Sequence, residues 1–342
     1  MKTLELFGGI GAPRKALLNL GVDIKVIDYV EIKESRVRAY NALYDHLHKT
    51  QSVVGWNLKP DILVHGSPCQ DNSQAQFSSH TNKKNKKRGA EKDSGTRSSL
   101  MHETVKIIKQ MGEWKPKFVI WENVTGVLAG NTINAFNTYL HDMSNLGYTN
   151  SFDVVNSLDF GIPHSRERVF CISVLNGDVF DFSKLKKKEM QPISDFLEYT
   201  AADYDKVPDE YIINIPSMLN RIEEFNPIKP GEKYRRRLNI ITEHCWTITE
   251  RQDRCPNSGI LRMNNGQYRY LTERECWRLL GFDDKDYNNV AKKFPKQPGK
   301  RSATMYALAG NSIVVSVLEA IFEVLLSGDY AVKDDMTEKT SN

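Results

Sequence analysis

The sequence lacks several features that would assign it to a specialised class of protein. Its five cysteines are scattered over 342 residues with no CxxC pair, so we expect neither a zinc site nor a disulfide framework. The longest apolar stretch, residues 313–326, carries two glutamates at helical spacing, which argues against a membrane span. Met1-Lys2-Thr3 leads into a strand-like segment rather than a signal peptide. These absences predict a cytoplasmic protein with no metal and no membrane partner.

Strong charge of one sign is also missing. The formal net charge is only +4, which does not by itself indicate a nucleic-acid partner. Basic residues do concentrate in three tracts, 83–88, 184–188 and 233–237. Each tract is as compatible with a solvated surface as with phosphate binding, so distribution rather than total charge keeps a nucleic-acid function open.

Short apolar runs alternate with amphipathic segments in the first half of the chain. We predict strands at residues 4–7, 24–30, 61–65, 118–122, 151–155 and 169–174. We predict helices at residues 13–20, 98–111 and 132–146. A further helix is predicted after the second strand and ends at residue 44. This rhythm is typical of a parallel sheet covered by helices, the doubly wound α/β class, in which ligands bind at the carboxyl ends of the strands.

The strand–helix rhythm is lost after about residue 176. The following segment is polar, irregular and rich in proline. We therefore predict two domains, a large one formed by residues 1–177 with 300–342, and a smaller, irregular one formed by residues 178–299. The length of the chain suits this division.

Two further helices and one loop are predicted from local signals. Thr272 with Glu275 three residues later forms a capping box that opens a helix over residues 271–280. Residues 313–326 are apolar enough to form a final helix that packs on the large domain. Residues 78–97 are rich in Lys, Ser, Asn and Gly, which indicates a mobile loop.

A glycine-rich segment, Phe7-Gly8-Gly9-Ile10-Gly11, follows the first predicted strand. Glycines there let backbone N–H groups approach a ligand at a helix N-terminus, although glycines needed only for packing would look the same. Glu31 follows the second strand, where its carboxylate can accept hydrogen bonds from ribose hydroxyls. Together these features predict a nucleoside cofactor, either a dinucleotide or S-adenosylmethionine.

Pro68-Cys69-Gln70 comes just after the predicted strand 61–65, at the edge where doubly wound enzymes carry out their chemistry. A small buried hydrophobe is the commoner role of a lone cysteine, but its Pro and Gln neighbours do not suit a buried strand. A nucleophilic thiol would need an activating environment. Glu122 ends the next apolar run and is expected on the same edge, as an acid that donates to a ring nitrogen or as a simple helix cap.

Seven motifs make the chain similar to the cytosine-5 DNA methyltransferase family, of bacterial or phage type, from residue 3 to about 320. They occur in the family's order and are Leu6-Phe7-Gly8-Gly9-Ile10-Gly11, Pro68-Cys69-Gln70, Gly95-Thr96-Arg97-Ser98-Ser99-Leu100, Glu122-Asn123-Val124, Phe160-Gly161-Ile162-Pro163-His164-Ser165-Arg166-Glu167-Arg168, Arg269-Tyr270-Leu271-Thr272 and Gly310-Asn311-Ser312-Ile313-Val314. Several are short, but their shared order is specific.

The resemblance implies a Rossmann-like, S-adenosyl-L-methionine-dependent methyltransferase domain with a smaller target-recognition domain. It implies double-stranded DNA as partner, action as a monomer and a place in restriction–modification or a related process. The catalytic residues it implies are Cys69, Glu122, Arg166 and Arg168. The cofactor-binding residues it implies are Phe7, Gly9, Gly11, Glu31, Ile32, Pro68, Asn311 and Ile313.

The same resemblance implies a mechanism. The Cys69 thiolate would attack C6 of a cytosine flipped out of the duplex, which makes C5 nucleophilic toward the methyl group. Glu122 would hold or protonate N3, and Arg168 would contact O2. The basic loop 78–97 resembles the family's mobile loop that closes over flipped DNA, and its lysines suit phosphate contact.

Three positions depart from the family pattern. His164 stands where glutamine is more frequent. Ile32 stands where an aromatic residue often packs on adenine, although isoleucine also offers an apolar face. No acidic contact to the adenine amino group is identifiable between residues 46 and 60, where Trp56 and Asn57 are the only suggestive residues.

Three other functions remain open from the sequence. A transfer-RNA methyltransferase of the same fold would share Cys69, Glu122 and Arg168, but the basic tracts within residues 178–268 suit a reader of duplex DNA. A nicotinamide-dependent dehydrogenase would explain the glycines and Glu31 but not the cysteine motif. A catalytically inactive DNA-binding protein is disfavoured because every catalytic residue is present.

Overall fold

A computed structural model describes residues 1–54, 59–67, 100–130, 132–227 and 237–332. Within these residues the strands are β1 Lys2–Leu6, β2 Lys25–Val30, β3 Ile62–His65, β4 Phe118–Val124, β5 Tyr148–Asn156, β6 Glu167–Leu175, β7 Leu261–Arg262 and β8 Tyr268–Arg269. The α-helices are α1 Ala12–Asn19, α2 Glu34–Tyr44, α3 Met101–Gln110, α4 Thr132–Asn145, α5 Pro216–Leu219, α6 Glu273–Arg278, α7 Asp284–Ala291, α8 Ala303–Gly310 and α9 Val315–Ser327. All six strands predicted for the first half of the chain are confirmed.

Six strands form one sheet in the order β2-β1-β3-β4-β6-β5. Strands β1 to β4 run parallel to one another, but β6 is antiparallel to both β4 and β5. The expected parallel arrangement is therefore wrong for β6. The physical reason is that residues 157–166 alone join β5 to β6, whereas a parallel crossover needs about a dozen residues or more.

Helices cover both faces of the sheet. Along β4, Val119 and Trp121 belong to the hydrophobic cluster that includes α3 and α4. Phe118 and Ile120 belong to the opposite cluster, with α1, α8 and α9. Because both faces are buried there, the inner strands β3, β4 and β6 are apolar along most of their length instead of alternating with polar residues.

The final helix returns to the large domain, as predicted. α9 packs on α1, and the Asn19 amide donates a hydrogen bond of 2.7 Å to Glu319. Residues Ala303–Ser327 are long and apolar enough to span a membrane by composition alone, but 78% of the most apolar window is buried in the fold. Core packing therefore accounts for the apolar character of this segment.

The region between β6 and α6 has a small core of its own. Its buried members are Ile213, Ile222, Leu238, Ile260, Tyr268 and Tyr270. Phe180, Phe196 and Trp277 instead join the large hydrophobic cluster on the sheet. The domain division at residues 178 and 299 stays a prediction, and this packing favours a recognition core that lies well inside those bounds.

The buried carboxylate of Glu275 joins the hairpin formed by β7 and β8 to α6. Glu275 receives hydrogen bonds of 2.8 and 2.9 Å from the Arg269 guanidinium and completes the predicted capping box with Thr272. It also accepts the backbone N–H of Glu198 at 2.8 Å. Because a buried charge must be paired, these contacts explain why Arg269, Thr272 and Glu275 occur together in one motif.

Candidate active site

The segment after β1 turns at three residues in the left-handed region. Phe7, Gly9 and Gly11 have φ values of 56°, 58° and 78°. Glycine adopts this conformation freely, whereas a phenylalanine there stores strain of the order of 1–3 kcal/mol. Gly11 precedes α1 as its N-cap residue, and a Cβ at Gly11 would lie 2.6 Å from the ring of Tyr40. The predicted loop is thus held close to the helix N-terminus.

Glu31 follows β2 and is fixed by four donors. Its Oε1 accepts the backbone N–H groups of Ile32 and Lys33, both at 2.9 Å. Its Oε2 accepts the Gly9 N–H at 3.2 Å and Arg36 Nη1 at 3.1 Å. The carboxylate is therefore oriented next to the loop, while the neighbouring Ile32 side chain is 70% exposed and presents an uncovered apolar surface.

A small cavity lies between the loop, the ends of β3 and β4, and the junction of α8 and α9. Its lining includes Phe7, Gly9, Glu122, Asn311 and Ile313. Asn311 is held by hydrogen bonds from its amide to the Ala307 carbonyl at 2.7 Å and to Glu250 at 3.0 Å. Predicted cofactor residues from both ends of the chain therefore share a cavity with the predicted acid.

The direction of β6 places Arg168 beside Glu122. Val124 at the end of β4 pairs with Arg168 near the start of β6. Arg168 Nε lies 3.1 Å from Glu122 Oε1, and both side chains are largely buried, at 14% and 13% exposure. A parallel β6 would begin at the opposite edge of the sheet. The antiparallel strand thus forms the ion pair at the edge where β3 also ends.

Ser67 is fixed to the same edge by two side chains of β4. Trp121 Nε1 donates to Ser67 Oγ at 3.1 Å. Asn123 Nδ2 donates to the Ser67 carbonyl at 3.3 Å and to Ser67 Oγ at 3.2 Å. Pro68 and Cys69 come next in the sequence, so these contacts orient the segment that leads to the predicted nucleophile.

Several predicted features lie outside the described residues. They are Pro68, Cys69 and Gln70, the loop 78–97, the motif from Gly95 to Ser99, Trp56 and Asn57, and most of the basic tract 233–237. Their assigned roles stay predictions.

Arg166 connects three segments through its guanidinium. It donates to the carbonyl groups of Ile248 at 2.8 Å, Ser312 at 2.9 Å and Gly310 at 3.1 Å. These contacts hold the start of β6 against the predicted cofactor motif that precedes α9. They support a positioning role, while the catalytic role assigned from the resemblance stays a prediction.

His164 is a buried connector between the same regions. Its Nε2 accepts the Ile248 N–H at 3.0 Å, so Nδ1 carries the proton and donates to the Leu279 carbonyl at 3.1 Å. Burial, followed by the positive charge of Arg166, holds the pKa of His164 well below its usual value. The imidazole is therefore neutral and links the two segments through its hydrogen bonds.

A wider cleft of about 590 Å³ opens beside the ion pair. Arg168 and Thr125 line one side. Arg221, Arg237 and Trp246 contribute from the predicted recognition region. Three arginines against one glutamate, Glu167, make this wall basic, and the Trp246 side chain is 56% exposed.

Comparison with known proteins decides the family. Residues 1–327 match the family described as C-5 cytosine-specific DNA methylase. The chain belongs to this family. The predicted enzyme class, DNA (cytosine-5-)-methyltransferase, is thereby confirmed, and the cysteine, acid and arginine motifs lie within the matched residues.

Relatives of this DNA methylase come from bacteria and phages. The Type II methyltransferase M2.ScrFI of Lactococcus lactis subsp. cremoris is 27% identical and aligns over 95% of this chain and 99% of its own length. The orphan methyltransferase M.SPBetaI of Bacillus phage SPbeta is 24% identical, with 95% and 97% covered. The predicted bacterial or phage type is confirmed.

Solved structures share the fold of this DNA methylase. The S. pombe Dnmt2 methyltransferase superposes with a TM-score of 0.69 at 20% identity and covers 96% of this chain and 99% of that one. The Entamoeba histolytica methyltransferase EhMeth gives a TM-score of 0.72 at 17% identity, with 96% and 98% covered. The predicted α/β methyltransferase fold is confirmed.

Sequence reasoning missed the residues that support this site. Tyr29 was assigned only to a strand, yet its hydroxyl donates to the Gly9 carbonyl at 2.5 Å. The ring of Tyr29 also fills the space opposite Gly8, where a Cβ would lie 2.6 Å away. Consecutive glycines at 8 and 9 were a signal that something bulky approaches this loop. Asn123 was recognised as part of a motif, but its contact with Ser67 had no signal in the sequence.

Proposed function

We propose that this enzyme transfers the methyl group of S-adenosylmethionine to C5 of a cytosine flipped out of a specific duplex DNA sequence, through a covalent bond between Cys69 and C6. The observation that carries the proposal is the shared cavity. It joins Phe7, Gly9, Asn311 and Ile313 to Glu122, so the predicted cofactor and base sites meet at one edge of the sheet.

The residues present fit an adenosyl cofactor. A ribose hydroxyl would replace or share one of the four donors on the oriented Glu31 carboxylate, of which the Gly9 N–H, at 3.2 Å, is the longest. The exposed Ile32 side chain beside it suits an apolar contact with adenine, and Gly9 has nothing within 4 Å of its Cβ position. When bound, S-adenosylmethionine supplies an electrophilic methyl group on a positively charged sulfur.

The protein groups would act on the base in sequence. The Cys69 thiolate adds to C6 and forms a carbon–sulfur bond, which breaks the aromaticity of the ring and makes C5 nucleophilic. Glu122 donates to N3, so that negative charge does not accumulate on the pyrimidine. The activated C5 would then take up the methyl group that the bound cofactor supplies, with the neutral thioether as the leaving group. Transfer of the C5 proton to water, return of the N3 proton to Glu122 and expulsion of the Cys69 thiolate restore the product base.

Arg168 would contact both Glu122 and the base in this cycle. In the free protein it pairs with Glu122, which keeps both side chains in place at the edge of the sheet. With cytosine present, its remaining N–H donors are available for O2, because a guanidinium has five N–H donors. Arg168 therefore provides preorganised donors on one side of the base, which is effective where water is excluded, and Glu122 becomes a donor to N3 once it carries a proton.

DNA that carries 5-fluorocytosine at the target tests the covalent step. Fluorine cannot leave C5 as a proton does, so we expect a stable protein–DNA adduct attached at Cys69. Cys69→Ala should form no adduct and transfer no methyl group while still binding DNA. Cys255→Ala, which removes another thiol that is not fully buried, is the matched control and should behave as the native enzyme. An active enzyme that forms no adduct would contradict the mechanism.

Single-turnover kinetics of Glu122→Gln test the acid. We expect the chemical step to slow by about 10²–10⁴-fold, the usual contribution of a positioned general acid, with cofactor affinity nearly unchanged. Glu113→Gln is the control, because Glu113 is exposed and precedes β4 at the opposite edge of the sheet. Equal rates for the Glu122 variant and this control would show that Glu122 takes no part in the chemistry.

The substrate class is tested by offering duplex DNA and transfer RNA in parallel and locating the methylated cytosines. Methylation of a defined duplex sequence supports the proposal. Methylation of transfer RNA with no product on DNA would replace it with the RNA alternative.

A further inference from the structure

Arg237 is an unusual member of the basic cleft. Its Nε, Nη1 and Nη2 atoms are all buried, and among the described residues none has a hydrogen-bond partner. The buried Arg269, by contrast, has its guanidinium paired with Glu275. Arg237 therefore holds its positive charge out of water without compensation.

Such an arrangement is unfavourable in the free protein. A guanidinium carries five N–H donors and keeps its charge at every accessible pH. Removing a guanidinium from water without a counter-charge strongly lowers the stability of the folded protein. The lost free energy is recovered only when an anion or a set of hydrogen-bond acceptors binds. The unpaired side chain is thus the mark of a group that acquires its partner on binding.

The surroundings identify the charge of that partner. Arg237 lines the same cleft as Arg168. Arg221 is fixed next to it, because the Leu238 N–H donates to the Arg221 carbonyl at 2.9 Å. The basic excess of this wall, next to the exposed Trp246 ring, attracts an anion rather than a cation or an apolar segment.

We propose that Arg237 binds a backbone phosphate of duplex DNA close to the target nucleotide. The inference rests on the proposed function, which supplies DNA as the substrate. A phosphate carries the formal negative charge that a desolvated guanidinium requires and can be bound in a bidentate manner. The edge of a guanine offers two acceptors but no net charge, so it compensates a buried cation less completely. Arg237 therefore positions the duplex and does not read its sequence.

The test is DNA binding by Arg237→Gln and Arg237→Lys as a function of salt, with S-adenosylhomocysteine present. Loss of one phosphate contact should raise the Kd of Arg237→Gln by roughly tenfold to a hundredfold on target and non-target duplexes alike. The slope of log Kd against log salt should become shallower by about 0.9. Arg237→Lys keeps the charge and should retain most of the slope. Loss of a phosphate contact should raise the KM for DNA more than it lowers kcat.

Stability of the free protein separates this role from a structural one. Because Arg237 is unpaired without DNA, Arg237→Gln should not lower the Tm of the free enzyme. A structural arginine would show the opposite, a lower Tm with unchanged DNA affinity, and that result overturns the proposal. Arg262→Gln is the matched control, since Arg262 pairs with Glu224 on the surface of the same region and does not line the cleft. We expect it to leave affinity and salt slope unchanged.

Two other outcomes also overturn the proposal. If Arg237→Gln weakens binding only to the target duplex, Arg237 contacts a guanine base. If Arg262→Gln weakens binding equally, the effect of Arg237 comes only from its contribution to the overall positive charge. In each case a native enzyme that methylates duplex DNA leaves the proposed function intact. Failure of the native enzyme to bind or methylate duplex DNA would instead refute the function itself.

Discussion

Gly8→Ala should disturb the glycine-rich loop, the proposed cofactor site, by crowding a single aromatic ring. The added Cβ would lie 2.6 Å from Cδ2 and Cε2 of Tyr29. That ring cannot retreat easily, because it is fully buried and stacks on Tyr40 with 3.7 Å between ring centroids. Its hydroxyl is also bonded to the Gly9 carbonyl. Since Gly8 does not have a positive φ, the effect of alanine comes from crowding and not from backbone strain.

Overpacking of this kind costs about 1–3 kcal/mol. If the loop moves to relieve the contact, the Kd for S-adenosylhomocysteine should rise roughly 5- to 150-fold. If the loop stays in place, the same strain should appear as a lower free energy of unfolding. Calorimetric titration measures the loss of binding free energy, and urea unfolding measures the loss of stability. The sum of these two losses should be about 1–3 kcal/mol.

A second background isolates the contact. In Tyr29→Ser the ring is absent, so adding Gly8→Ala should be nearly neutral, and the two changes should show a coupling energy of about 1 kcal/mol or more. An equal effect of Gly8→Ala in both backgrounds, or no effect in the native one, would show that Tyr29 does not explain this glycine.

Three further predictions concern buried polar groups. Asn123→Ala removes both hydrogen bonds to Ser67 and should slow methyl transfer in a single turnover by more than about tenfold. The cofactor Kd should stay unchanged, and the free energy of unfolding should fall by about 1 kcal/mol. An unchanged rate would contradict the positioning role of Asn123. Burial raises the pKa of Glu5 to about 8, so the folded state holds a proton that the unfolded state releases above about pH 4.5, and this contribution to stability is lost as pH rises toward 8. Glu5→Gln should flatten that decline, by about 3 kcal/mol between pH 5.5 and 8 in urea unfolding. The depressed pKa of His164 acts in the opposite direction, with stability lost as pH falls below about 6.5 at up to 1.4 kcal/mol per unit; His164→Gln should reduce the proton uptake on acid unfolding by about one.

Local signals predicted the elements that have strong local causes. The six strands were predictable because buried apolar runs are bounded by polar turns, and α6 because Thr272 and Glu275 form a capping box. α7 was missed because its sequence, Asp284–Ala291, is polar and carries two asparagines. Its own capping box, formed by Asp283 and Asp286, was the available signal.

The short connection between β5 and β6 fixes the direction of β6 and therefore the geometry of the site. The sequence between Asn156 and Glu167 is too short for a helical crossover, so the antiparallel strand was predictable from the chain itself. With it comes the pairing of Val124 with Arg168, and hence the approach of that guanidinium to Glu122. The motif resemblance named both charged residues, but only the strand direction explains why they meet.

No local sequence pattern predicts the contacts that hold this edge of the sheet together. Arg166 bonds to carbonyls 82 and 144 residues further along the chain, and His164 bonds to Leu279 at a separation of 115. Hydrophobic periodicity describes neighbours within one element, and the order of motifs indicates which residues belong to the family, so neither specifies partners so distant. A buried guanidinium, however, requires acceptors, and three backbone carbonyls from two other segments provide them. The need for compensation could therefore be inferred from residue type, whereas the identity of the compensating groups follows only from the way the second half of the chain folds back onto the sheet.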